Sequence, residues 1–339
     1  MNRPHTAIFS IALLFVGGLP SVQAAAPDAD AANLPEAAHI RAILQHPESK
    51  MDFAKIKLTI DKMVEPNINV DAGLKQIDGM VARIRAMLGS NPSSSEKMLA
   101  LKKYLYEKGP WNDHKHYQYD FDDPRGTKIS NKLLTGYLAS KKGNCVSMPL
   151  LFIVLGQRLG IDVTASTAPE DVFVKYTDTA TGVTYNLEAT SGANPTRDVW
   201  YQQQMPMTAE AIANGIYLQK LTTRETAAVM ALVLAENFAA KQEPEKVIAI
   251  ADAVLPHYPK NIALILQKGS AHARLIKKHF VSRYPTPNDI PAAEKPYFRY
   301  LSEQNQLWFA KAESLGWREP TQAQEFRYMQ NVDRAKSNQ

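Results

Sequence analysis

The hydrophobic pattern of this chain leaves its helical period in one short stretch, and that stretch constrains the fold most. Up to residue 159 apolar residues recur at helical spacing, as in Leu74, Ile77, Val81, Ile84 and Leu88. From Ile161 the spacing turns to alternation. Residues 171–176 (Asp-Val-Phe-Val-Lys-Tyr) read as a strand, 177–182 as a polar turn and 183–187 as a second strand, which together make a hairpin. After Thr190-Ser191-Gly192 helical spacing returns and persists. Helices followed by a small antiparallel sheet packed on them make an α+β layer arrangement for the middle of the chain.

The only cysteine, Cys145, stands just before this change of period, in Lys141-Lys142-Gly143-Asn144-Cys145-Val146-Ser147-Met148-Pro149. A glycine-bearing turn feeds the thiol into the apolar helical run 150–159. The sulfur is therefore expected at or near a helix N-terminus, where unpaired N–H groups and the macrodipole favour a thiolate. Such a thiol is a candidate nucleophile if a base stands beside it.

At 339 residues, 45% of them hydrophobic and 22% charged, the chain has enough apolar material for two globular domains. The net charge of +5 is spread over pairs such as Lys102-Lys103, Lys141-Lys142 and Lys277-Lys278. These read as solvated faces and turns, so no nucleic-acid partner is expected. No glycine-rich phosphate loop, zinc spacing or nucleotide fingerprint is present. No cofactor and no metal are expected.

At the N-terminus, Arg3 and His5 precede an apolar stretch over 7–18 that is too short to span a bilayer, and Val22-Gln23-Ala24 offers small residues for cleavage. Residues 1–24 read as a signal peptide cut after Ala24, which places the mature chain in a periplasm or outside the cell. No other stretch is apolar enough for stable membrane insertion. In an oxidising compartment a lone cysteine is a free thiol with a use, an intermolecular bridge or an inert buried residue.

The expected organisation is a loose segment over 25–50, a globular unit over 51–200, a helical unit over 201–320 and a tail over 321–339. Helices are expected from Asp52, over 70–88, from Ser95 to 106, over 128–139, and then over 224–241, 245–258, 262–279 and 297–317. Trp308 and Trp317 in the last of these read as core residues. Ala235 and Gly269 lie 34 residues apart, and Val247, Ala251, Val254 and Pro259 fall where a tetratricopeptide unit keeps its packing residues and closing proline. The competing reading is an unspecialised helical bundle.

Cysteine hydrolases and acyl transferases need a nucleophile, a histidine in reach and a group that orients the histidine. After Cys145 the two strands supply Ala168-Pro169-Glu170-Asp171-Val172-Phe173-Val174 and Asn186-Leu187-Glu188-Ala189-Thr190. With these segments the chain resembles the SirB-type proteins, a transglutaminase-like core followed by tetratricopeptide-type helices. The resemblance runs over roughly residues 52–285. It rests on 66–88, on Tyr119-Asp120-Phe121-Asp122-Asp123-Pro124, on Asn131-Lys132-Leu133-Leu134, on 143–160 and on the hairpin. It implies a papain-like core in which the strand opening Pro-x-His-Val/Phe-x-Val carries the histidine. It maps the nucleophile onto Cys145 and puts Glu188 where an orienting residue belongs, but the histidine position is Asp171.

That exchange is chemically costly. Moving a proton from a thiol of pKa about 8.5 to an imidazole near 6.5 costs about 2.7 kcal/mol, and to a carboxylate near 3.9 about 6 kcal/mol. A nearby carboxylate also opposes the thiolate, against a helix-dipole effect of only about 0.3–1 kcal/mol. An ionised aspartate is also a poor general acid near neutral pH. Glu170, Asp171 and Glu188 form a candidate acidic group at the cleft, or else two solvated turn residues and a strand-end carboxylate. His114 and His116, in the loop 111–125, are the candidate surrogate bases, and with Asp113 they give a weak metal pattern lacking a second ligand cluster. The expectation is a catalytically degenerate transglutaminase-like protein whose cleft or helical region binds a protein or peptide partner. The alternative is a cysteine peptidase, amidase or acyl transferase with Cys145 as nucleophile and His114 or His116 as base.

Overall fold

The computed structural model describes residues 34–123 and 126–337, so the expected signal peptide lies outside the described residues. Where a loose segment is expected over 25–50, residues from 35 onward are ordered. Helix α1 (Pro35–Gln45) buries Ala37, Ile40 and Leu44, one residue per turn, and its proline sits in the first turn where no N–H is missed. Helix α2 (Phe53–Val64) starts on Asp52, whose carboxylate accepts the N–H groups of Ala54 and Lys55. Helix α3 (Val70–Arg85) starts on Asn69 in the same way. Helix α4 (Ser94–Tyr106) opens with a capping box between Ser93 and Glu96, two residues ahead of the expected start.

The helix expected over 128–139 is broken. A short strand, β1 (Gln118–Tyr119), leads through a loop to a 3-10 turn over Ile129–Lys132, and only then to helix α5 (Leu134–Ser140). The break lies where the Leu134 N–H is taken by the carboxylate of Asp61 on α2, at 2.7 Å. Asp61 is itself paired with the buried ammonium of Lys57, which also donates to the carbonyl of Lys132. A buried ion pair thus ties α2 to the start of α5.

Strand β2 (Lys142–Gly143) pairs in parallel with β1 and delivers the chain into helix α6 (Ser147–Arg158). Every residue of α6 from Ser147 to Gly156 is buried. An antiparallel meander follows on its other side. It comprises β3 (Asp162–Ala168), β4 (Asp171–Thr177), β5 (Thr184–Glu188) and β6 (Asn194–Thr196), paired in that order. Gly156 lets α6 lie against this sheet, since a Cβ there would come within 2.5 Å of the Val163 side chain.

Beyond the sheet the chain is helical: α7 (Asp198–Gln204), α8 (Ala209–Ala213), α9 (Thr223–Met230), α10 (Leu232–Ala240), α11 (Pro244–Val254), α12 (Ile262–Ile276), α13 (Lys295–Ser314) and α14 (Gln322–Ser337). The helix expected over 224–241 is two helices, because the chain tightens at Ala231, whose N–H reaches back only to Ala228. The tail expected over 321–339 is helix α14 as far as residue 337. Trp308 and Trp317 pack against the edge of the core.

The boundary expected near residue 200 does not separate the chain into distinct cores. The N–H groups of Leu218 and Leu221 donate to Thr167 and Ala165, and Thr226 accepts from Ala165, so the helical region closes the free edge of β3. Helix α1 packs on α11, and α2 packs on α9 and α10. One continuous apolar core runs through both regions. Among the described residues no helix is long and apolar enough to cross a membrane.

Candidate functional site

The β1–β2 ladder sets where the cysteine stands. The N–H of Gln118 donates to Lys141 at 2.9 Å and that of Asp120 to Gly143 at 2.7 Å. Gly143 is pressed so close to the Tyr137 ring and the Ser147 hydroxyl that a Cβ would come within 2.7 Å of both. The next residue, Asn144, is fully buried, and its side-chain oxygen accepts the N–H groups of Val146 (3.0 Å) and Ser147 (3.1 Å). Asn144 therefore holds the turn that leads into α6, and the half-buried Cys145 sits in that turn, ahead of the first helical residue. The sulfur is near the helix start, as expected, but the N–H groups most able to support a thiolate already serve Asn144.

The sheet brings two carboxyl groups to this turn. Between β3 and β4 the chain reverses through Pro169 and Glu170, the latter in the left-handed region with φ +60°. This reversal points the Glu170 carbonyl at Cys145, whose S–H donates to it at 3.7 Å. Asp171 follows, buried, and one of its carboxyl oxygens has no hydrogen-bond partner. Glu188 ends β5. One of its oxygens accepts from the Thr190 N–H (3.0 Å) and hydroxyl (2.5 Å), the other from the Tyr201 hydroxyl (3.0 Å). Tyr201, on α7, is stacked on Phe173 of β4 with ring centres 4.2 Å apart.

Burial governs the charges here. It pushes the Asp171 carboxyl well above the ordinary carboxylate range, and the charge of Glu188 pushes it further. The N–H of Val172 and the thiol of Cys145 favour its anion, but less strongly. The Asp171 carboxyl is therefore harder to ionise than an ordinary aspartate, a shift that the sequence alone did not indicate. Burial also raises the Cys145 thiol, with Asp171 second; Lys132 favours the thiolate, and Glu188 and Glu236 oppose it. The thiol is neutral chiefly because it is desolvated, and only secondarily because carboxyl groups surround it.

Among the described residues, the charges that act most on this thiol are those of Asp171, Lys132, Glu188 and Glu236, none of them a histidine. His114 stands with Asp113 in consecutive left-handed residues, and Asp113 is held by Arg83 at 3.0 Å. Burial and then Lys108 and Lys141 push the His116 imidazole down. Among the described residues no group of three or more His, Cys, Asp or Glu side chains is placed to hold a metal ion. Of the residues singled out in the sequence, the structure gathers Cys145, Glu170, Asp171 and Glu188, and leaves His114 and His116 among other charges.

Four further side chains belong to the site. Tyr119 is raised by burial and then by its nearness to Cys145. It is held there by a loop in which Asn131 bridges Asp120 (2.8 Å) and Asp123 (3.0 Å). Lys132 is paired with Glu236 of α10 at 2.7 Å. Tyr201 holds Glu188. Tyr119 and Lys132 were signalled by the segments Tyr-Asp-Phe-Asp-Asp-Pro and Asn-Lys-Leu-Leu, whereas Tyr201 and Glu236 carry no local signal.

A cysteine turn leading into a buried helix, backed by an antiparallel sheet that carries the facing residues, defines a transglutaminase-like domain. Comparison with known families agrees: the model of the Transglutaminase-like superfamily matches residues 71–232, from α3 to the first residue of α10. Neither a curated protein nor a solved structure gives a match.

Proposed function

We propose that this protein is an exported, catalytically degenerate transglutaminase-like protein of the SirB type, and that its cleft binds a protein or peptide. The observation that carries the reading is Asp171, a buried carboxyl with an unpartnered oxygen where a histidine base is needed, beside a desolvated thiol. Ionising either group in this setting works against burial, so a thiolate formed by passing its proton to Asp171 is disfavoured. The thiol is thus a weak nucleophile, while one buried oxygen of Asp171 has no partner and is the group beside the thiol that a bound polypeptide would engage. The successive helices α10 to α12 are read as tetratricopeptide-like and offer a second surface for the same partner. Export rests on the sequence of residues 1–24.

Iodoacetamide labelling of Cys145 followed against pH tests this reading. The expected rate is low at pH 7 and still climbs, about tenfold per unit, beyond the ordinary thiol range near pH 8.5. A rate already level between about pH 6 and 8 would mean a low-pKa, catalytically poised thiol, and would overturn the degenerate reading.

A further inference from the structure

Helix α14 reaches two of the elements that surround Cys145. Residues 322–327 of α14 are all exposed, with Phe326 at 66%. Tyr328, Met329 and Asn331 are half-buried, and the first and last of these share a helix face. The Asn331 amide donates to the Gln204 side chain at 2.9 Å. Gln204 ends α7, the helix whose Tyr201 holds Glu188 and stacks on Phe173 inside the cleft. On the other side Tyr328 is close enough to Tyr119 to act on its hydroxyl, and Tyr119 in turn borders the Cys145 thiol. Helix α14 therefore bridges the two walls of the site, the Tyr119 loop and α7.

The chain that leads into α14 is fixed at one point. Gly316, at φ +90°, lies so close to α8 that a Cβ would come within 2.5 Å of the Ala211 nitrogen. The Thr208 hydroxyl donates to the Gly316 carbonyl at 2.7 Å, and Arg318 pairs with Glu210 at 3.1 Å. Past this anchor, Thr321 and Gln324 close the start of α14 on each other, so the helix carries its own N-terminal cap. An anchored base, a locally capped helix and a half-buried contact face make an element that can leave the cleft as a unit.

We infer that α14 is a built-in cover of the Cys145 cleft, occupying through Tyr328 and Asn331 the place where an external polypeptide binds. The inference rests on the binding reading of the cleft, and it makes that binding a competition between α14 and the partner.

The test compares two thiol reagents on the full chain, small methyl methanethiosulfonate and a maleimide carrying a bulky polyethylene glycol. Both are applied at one alkaline pH to the unaltered protein and to Tyr328→Ala/Asn331→Ala. Loss of the two contacts is expected to speed the bulky reagent by about tenfold and the small one by much less. Unchanged rates, or equal acceleration of both reagents, would overturn the cover. The ratio between reagents is independent of the pH slope that judges the degenerate reading, so the two can fail separately. Should the double variant not fold, hydrogen exchange on the unaltered chain decides. Amides of α14 are expected to exchange at least about a hundredfold faster than those in the middle of α13, and equal protection would overturn the proposal.

Discussion

Asp171 shows most directly what a single residue does to this site. Its carboxyl is raised in the folded protein, so between the ordinary carboxylate range and that raised value it keeps a proton that the unfolded chain has lost. The unfolded state then binds fewer protons, so this group's contribution to stability falls as pH rises from the ordinary carboxylate range to the raised folded value. Asp171→Asn keeps the shape and removes the titration. Its denaturant midpoint is expected to exceed that of the unaltered protein at pH 7, with the difference shrinking towards zero below about pH 4. A difference that stays constant from about pH 3 to 8 would remove the titration as its cause. The identity of residue 171 was legible in the sequence, and so was the missing histidine. The upward shift of its carboxyl was not, because that depends on burial and on Glu188, which the β4–β5 pairing brings near. The local spacing of the two histidines could not show their surroundings: His114 lies in a left-handed turn with Asp113, which pairs with Arg83.

At the scale of elements, the junction of β2 and α6 determines where the thiol points. Gly143 has no room for a side chain between Tyr137 and Ser147. Gly143→Ala is expected to cost about 1–3 kcal/mol through overpacking and to shift the labelling rate of Cys145, because the strain falls on the turn that carries it. Ser93→Ala is the control. It removes the capping box of α4, costs about 1 kcal/mol and leaves the labelling rate unchanged. Equilibrium denaturation and the labelling rate, measured on both variants, separate the two effects, and equal changes in labelling would sink the local role of Gly143. The helices and the hairpin could be read from sequence where the signals are local, as at Asp52, Asn69 and the 171–187 alternation. They could not where a distant group intervenes. Asp61 takes the Leu134 N–H across 73 residues of sequence, and no window over 128–139 contains that fact. The same holds for α1, whose apolar face is anchored by α11, far along the chain.

In the whole molecule, the helical region is wired to the cleft. Helix α10 supplies Glu236, which pairs with Lys132; Lys132 favours the Cys145 thiolate, and Glu236 opposes it. The Lys132 carbonyl is held by Lys57 of α2, and α2 packs on α10 as well as on α6. The order of helices, sheet and helices was legible from the hydrophobic period. The junction between the regions was not, because the bonds from Leu218 and Leu221 to the edge of β3 are backbone bonds, to which side-chain pattern is blind. If the ion pair carries the coupling, Glu236→Gln frees Lys132 to act on the thiol and also removes a direct repulsion. Labelling of Cys145 at pH 8.5 should then rise, and Lys132→Met should lower it. A partly exposed pair is worth about 0.2–1 kcal/mol, so each change is expected to reach at most about fivefold. In a Lys132→Met background only the direct repulsion remains, so Glu236→Gln should raise the rate less than it does alone. The same rise in both backgrounds would show that Glu236 acts on the thiol independently of Lys132, and that the helical region touches the site through charge at a distance, without the ion pair.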